Sequence, residues 1–209
     1  MNRFIHTGGK AMKALVALST GAVLGLTGLA DAGIAQERPA TATGRTSGPM
    51  TYGKGVTVQQ ALKAEVARRG AAAYSVCYQA HVAYLNWQNV TCNGGIAGTV
   101  GRNLAIEAVN VAVSGATFCV EAHIRDKDWQ GEQCARDQWL HVGTEGQNRP
   151  MEALRFWVGG PTKEVGQAHV QDWDWLGVVA NNYDSPLRIE LGTTGRGLML
   201  EAFTLQIVN

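Results

Sequence analysis

Three tryptophans recur with polar neighbours: Asn86-Trp87-Gln88, Asp128-Trp129-Gln130 and Asp174-Trp175-Leu176. An indole offers a flat apolar face on which a sugar ring can stack, worth about 0.5–1.5 kcal/mol by analogy with aromatic pairs. A carboxylate or amide beside it supplies acceptors and donors for the hydroxyls. Gln88 and Gln130 reach in the same way and Leu176 does not, so the third site is expected to bind differently or not at all. The expected ligand-binding residues are therefore Trp87, Asn86, Gln88, Trp129, Asp128, Gln130, Trp175 and Asp174. A tryptophan repeated once per unit would serve equally as core, and that alternative stays open.

Other chemistry is thinly represented. His81, His123 and His169 recur at one strand position with no carboxylate partner evident in the sequence, which predicts packed structural residues. Glu107, Glu152 and Glu201 recur before an alternating strand and are expected to hold the preceding glycine turn through its backbone N–H groups. A glycosidase needs two carboxylates in unlike environments, whereas these acids recur by symmetry. No nucleophile elbow, zinc-protease helix, phosphate loop or dinucleotide fingerprint is present in a suitable setting. The expectation is a carbohydrate-binding lectin, multivalent through three tryptophan-centred repeats, with no catalytic residue, no metal and no cofactor.

These residues belong to three copies of one unit. Ala80-His81-Val82, Ala122-His123-Ile124 and Ala168-His169-Val170 each precede a tryptophan by the same step. Each unit then carries Gly-Thr-x-Gly, beginning at Gly98, Gly143 and Gly192, and Glu-Ala beginning at Glu107, Glu152 and Glu201. Only the stretch from tryptophan to glycine varies in length, which marks an adjustable surface loop. Segments such as SVCYQAHV and IEAVNVAV alternate apolar and polar residues as half-buried strands do. The pattern predicts an all-β, pseudo-threefold domain of tandem repeats at 74–113, 115–158 and 164–209. A β-trefoil and a β-prism both meet it, the trefoil being slightly preferred.

The cysteines follow the same register. Cys77 and Cys119 lie four residues before the histidines, and Cys92 and Cys134 five residues after the tryptophans. Repetition selects Cys77–Cys92 and Cys119–Cys134 from the three possible pairings. The third unit has Val165 and Ala180 there, so both partners are lost together.

The amino-terminal third is different. Arg3, Lys10 and Lys13 precede an apolar stretch and then small residues, the order of a secretory signal peptide over residues 1–35. Residues 36–73 are expected to be a flexible linker followed by a helix over 57–69, with Thr57 as N-cap and Gly70 as stop. That segment carries six basic and two acidic residues, and 74–209 carries nine basic and fourteen acidic. Opposite charge and the pair Arg68-Arg69 fit either a removable pro-segment or a leader helix retained on the domain. An acidic domain lacks the electrostatic footprint of a nucleic-acid binder. No later run is long enough to span a membrane, so a secreted protein without membrane insertion is expected, with glycans or cell-surface polysaccharide as partners.

The order of His-Val, Trp, Gly-Thr-x-Gly and Glu-Ala followed by an alternating strand resembles the clostridial hydrophobic-Trp (ChW) repeat, over about residues 74–209. The resemblance implies an extracellular binding module, structural or protein-binding in many members and carbohydrate-binding in secreted hemagglutinins built of three such repeats. Members often have Gly before the tryptophan, where this chain has Asn86, Asp128 and Asp174. They also tend to have Arg two residues before the glutamate, where this chain has Ala105, Pro150 and Met199.

Overall fold

The computed structural model describes residues 48–181 and 187–208. The expected signal peptide and residues 36–47 of the expected linker lie outside the described residues. The described part of that linker is not a free tether. Strand β1 (Met50–Thr51) precedes helix α1 (Val58–Arg69), the only helix among the described residues. As the sequence predicts, Thr57 is the N-cap of α1, and the structure adds a capping box with Gln60. The Gln60 N–H donates to Thr57 Oγ1 at 3.2 Å and the Thr57 N–H donates back to Gln60 Oε1 at 2.9 Å.

Alternation then yields five strands per unit. The first unit has β2 (Val76–Val82), β3 (Asn86–Trp87), β4 (Thr91–Cys92), β5 (Ala97–Gly98) and β6 (Ile106–Val113). The second has β7 (Thr117–Ile124), β8 (Asp128–Trp129), β9 (Gln133–Arg136), β10 (Trp139–Gly143) and β11 (Met151–Val158). The third has β12 (Lys163–Val170), β13 (Asp174–Trp175), β14 (Val179–Ala180), β15 (Ile189–Gly192) and β16 (Leu200–Val208). In each unit the first strand pairs antiparallel with the last: β2 with β6, β7 with β11 and β12 with β16. Cys77 lies opposite Cys92, Cys119 opposite Cys134 and Val165 opposite Ala180. Both cysteine pairs are disulfides and the described residues hold no free cysteine, which fits an oxidising environment.

The fourth strand of each unit leaves its own sheet. β10 pairs with β6, β15 with β11 and β5 with β16, so every sheet borrows one strand from another unit in cyclic order. The result is all-β, with three sheets and no closed barrel among the described strands. Gly98, Gly143 and Gly192 sit at these exchanges opposite Ala202, Ala108 and Ala153. This corrects the reading of the glutamates. The turn N–H groups are taken by glutamate main-chain carbonyls, Thr99 to Glu201 and Thr144 to Glu107 at 2.8 Å and Thr193 to Glu152 at 3.0 Å. Each glutamate also belongs to a different unit from the turn it holds.

Inward residues of the three sheets share one core, including Tyr78, Phe118, Phe156 and Phe203. The buried Tyr78 hydroxyl donates to the Gly95 carbonyl at 2.6 Å and accepts from the Leu205 N–H at 2.8 Å, tying unit one to unit three. A second cluster lies outside the first sheet, where Val58, Ala61 and Leu62 of α1 cover Cys77, Cys92 and Ala112. The small Ala112 stands where the second unit has Trp157, which makes room for the helix. Buried Glu65 of α1 accepts from Tyr52 Oη at 2.7 Å and from Asn93 Nδ2 at 2.8 Å, and pairs with Arg68 at 2.6 Å. Burial and this contact push the Tyr52 phenol up to about 12. The leader helix is thus seated on the domain by apolar packing and a buried polar cluster.

Glu164 breaks the apolar pattern, occupying the strand position held by Val76 and Phe118 in the other units. It is fully buried, and its Oε1 accepts from the Val158 N–H at 2.7 Å. Burial raises its carboxyl above the usual range. A carboxyl raised by folding adds stability below its unfolded pKa and loses it as pH rises through the folded value. Glu164→Gln, which keeps the acceptor and removes the charge, is therefore expected to gain stability over the parent as pH rises. Urea unfolding at pH 4 and pH 7.5 measures this; an offset that does not change with pH refutes it.

Candidate functional site

The short strands β3, β8 and β13 place each tryptophan opposite its histidine: Trp87 against His81, Trp129 against His123 and Trp175 against His169. The rings meet edge to face with centroids 5.3, 5.1 and 5.4 Å apart. All three tryptophans are half-buried, so each indole is anchored at one side and open at another.

A β-bulge supplies the partner that the sequence did not reveal. The ladder between first and last strands skips one residue in every unit, and that residue is Glu107, Glu152 or Glu201. A bulge re-aims a side chain, and here each carboxylate meets its buried histidine. His81, His123 and His169 Nδ1 lie 3.1, 3.3 and 2.9 Å from the glutamate Oε2 atoms. These are close polar contacts between buried side chains. His123 and His169 also reach Asp128 and Asp174 Oδ1 through Nε2, both at 3.1 Å. Burial raises the Glu201 carboxyl, with His169 acting against that rise. The histidines are buried, as expected, and each meets a carboxylate.

The residues beside the tryptophans have local work. Asn86, Asp128 and Asp174 take φ of 59°, 62° and 61°, the left-handed region where Asn, Asp and Gly are the least costly residues. This explains why glycine suits the same position in the ChW pattern. Asp128 and Asp174 Oδ1 also accept the N–H of the following tryptophan at 2.9 Å. The Gln88 amide donates to the Leu85 and Asn86 carbonyls at 3.2 and 2.9 Å, and the Gln130 amide to Lys127 and Asp128 at 2.9 and 2.8 Å. The donors assigned to a ligand therefore close the turn that presents the indole. The signal that would have shown this is residue type: Asn or Asp before the tryptophan in every unit marks positive φ.

The surroundings of the three indoles differ. Trp129 carries the Arg155 guanidinium 3.7 Å from its ring centroid, and Arg155 is itself held by Glu190 at 3.1 Å. Arg188 pairs with Glu132 nearby and holds that carboxyl below the usual range. The face of Trp129 is thus covered by an ionic network. At Trp175, Gln167 Nε2 donates to the Leu176 carbonyl at 2.7 Å. Trp129 also lines a polar cleft of about 800 Å³ with His123, Arg125, Asp126, Asp128 and Glu152, whereas Trp87 opens onto a more apolar cleft of about 480 Å³, within the size range of small-ligand sites. Gly53–Val58 of the leader form one wall, and Trp87, Gln79, Asn110 and the borrowed-strand residue Trp139 form the others. Asn110 Oδ1 is held 2.9 Å from His141 Nδ1, and the His141 ring lies edge-on to Trp87. Trp139 was not singled out by the sequence, since it lies outside the repeated landmarks.

Among the described residues no helix is long and apolar enough to cross a membrane. No curated protein and no solved structure matches the chain. Residues 81–115 match the family model described as Clostridial hydrophobic W. That span starts at His81 and takes in Trp87, the Gly98 turn and the bulged Glu107, the landmarks built above. Residues 81–115 are thus similar to a repeat of the clostridial hydrophobic-W family, and their His, Trp, Gly and Glu landmarks recur in the same strand register in the two units that follow.

Proposed function

We propose that the protein is a secreted carbohydrate-binding module, a lectin rather than an enzyme. In this reading the cyclic strand exchange is a pseudo-threefold, prism-like arrangement of three repeats, and glycans or cell-surface polysaccharide are its partners. The observation that carries it is the cleft at Trp87. Two indoles line it with amide side chains, and no carboxylate stands among its lining residues. That suits stacking and hydroxyl recognition, and it leaves out the acid pair that glycoside hydrolysis needs. The covered indole of Trp129 favours a second reading for that face, a structural or protein-binding surface of the ChW type.

Affinity electrophoresis tests the reading. In native gels cast with neutral polysaccharides (glucan, mannan, galactan), the protein is expected to migrate more slowly than in plain gels in at least one case. Unchanged mobility in all of them refutes sugar binding and leaves the ChW structural-module reading.

A further inference from the structure

We infer that the leader and the second unit complete one carbohydrate site on the first unit, and that this site takes an uncharged pyranose between Trp87 and Trp139. The inference rests on the carbohydrate-binding reading and specifies where and what. The two indoles come from different units. Trp87 lies on β3 of the first, and Trp139 begins β10, the strand that the second unit lends to the first sheet, opposite Ala112. Trp139 is half exposed while its strand neighbours are fixed in the ladder, so its ring stands out beside the cleft. Four positions before Gly143 the second unit has Trp139; the same count back from Gly192 and Gly98 gives Arg188 and Gly94. Neither other unit has an indole at that borrowed-strand position.

The wall opposite is equally particular. Gly53–Val58 leads into α1, whose packing on the disulfide Cys77–Cys92 fixes it, and neither other unit has a leader of its own. The polar lining consists of the Thr57 hydroxyl and the amides of Gln79, Asn89, Asn110 and Gln88 (whose N–H groups serve its own turn), with Lys54 as its one charged side chain. Amides donate to and accept from hydroxyls, and indole faces attract the C–H faces of a pyranose. Asn110 is held in place by His141, so the site is largely formed before ligand arrives, which lowers the cost of ordering on binding. With the Trp129 face under Arg155, binding is expected to be dominated by one site.

The test is calorimetric titration of the full chain with the neutral trisaccharides cellotriose, mannotriose and galactotriose, and with trigalacturonate. At least one neutral trisaccharide is expected to bind, with a shift of tryptophan emission. Trp139→Ala is expected to weaken that binding at least tenfold. Trp139 is half exposed, so the variant should fold, as its thermal transition will show. Trp173→Ala, an exposed tryptophan outside the cleft, is expected to keep the parental affinity. Binding that survives Trp139→Ala, or falls as far with Trp129→Ala as with Trp139→Ala, overturns the single-cleft assignment while leaving carbohydrate binding standing. Stronger binding of trigalacturonate than of every neutral sugar overturns the ligand class. No binding by any of the four overturns both this inference and the reading beneath it.

Discussion

Gly143→Ala is expected to lower the unfolding free energy by about 3 kcal/mol or more, the combined scale of positive-φ strain and a backbone clash. Gly143 has φ of 102°, and a Cβ there would fall on the Glu107 carbonyl and lie 2.8 Å from Ala108 Cα. Both obstacles are main chain, so no side chain can swing away. They also belong to another unit, so relief requires β10 to part from β6 at the joint between the first and second units. Gly146 is the control. It also has positive φ, at 68°, but nothing lies within 4 Å of its Cβ position. Gly146→Ala should therefore show only the conformational cost, about 1 kcal/mol. Thermal or urea unfolding of both variants measures the difference, and equal losses would mean that the close approach at the joint is not a stabilising contact.

His169→Ala is expected to cost about 3 kcal/mol or more, the combined scale of emptying a buried site and leaving a buried polar partner unsatisfied. The imidazole fills the space between Glu201 and Trp175, with Nδ1 2.9 Å from Glu201 Oε2. Without it the buried carboxylate faces an apolar strand and a cavity. Asp174, on the other side, is exposed and contributes little of this. The pair is isolated by a double-mutant cycle with Glu201→Gln. In that background His169→Ala should cost at least about 1 kcal/mol less, since the contact with the Glu201 carboxyl is already removed. Additive losses would show that His169 acts through packing alone, and the bulge that turns Glu201 inward would then lack an electrostatic role.

Much of this protein was legible in its residues because the informative signals are local. Alternation gives the strands, Thr57 caps α1, and equal spacing pairs Cys77 with Cys92 and Cys119 with Cys134. Three copies of the same landmarks reveal the repeat whatever its fold. The joints were not legible. A Gly-Thr turn has the same spacing to Glu-Ala whether it docks in its own unit or in another, so sequence could not show that Gly143 sits on Glu107. Nor could it show the bulges, because one skipped residue in a ladder leaves no mark on periodicity, yet that skip is what brings each glutamate to its histidine.

The candidate site shows the same division. The residues alone single out the three tryptophans and separate only the third, through Leu176. Tertiary structure made them unequal, placing Arg155 on Trp129 and Trp139 with Gly53–Val58 around Trp87. Those partners come from strands and segments far away in the chain, where register and packing, not neighbouring residue types, determine what meets. Local chemistry set the frame of each unit, and the exchange of strands between units set what each indole faces.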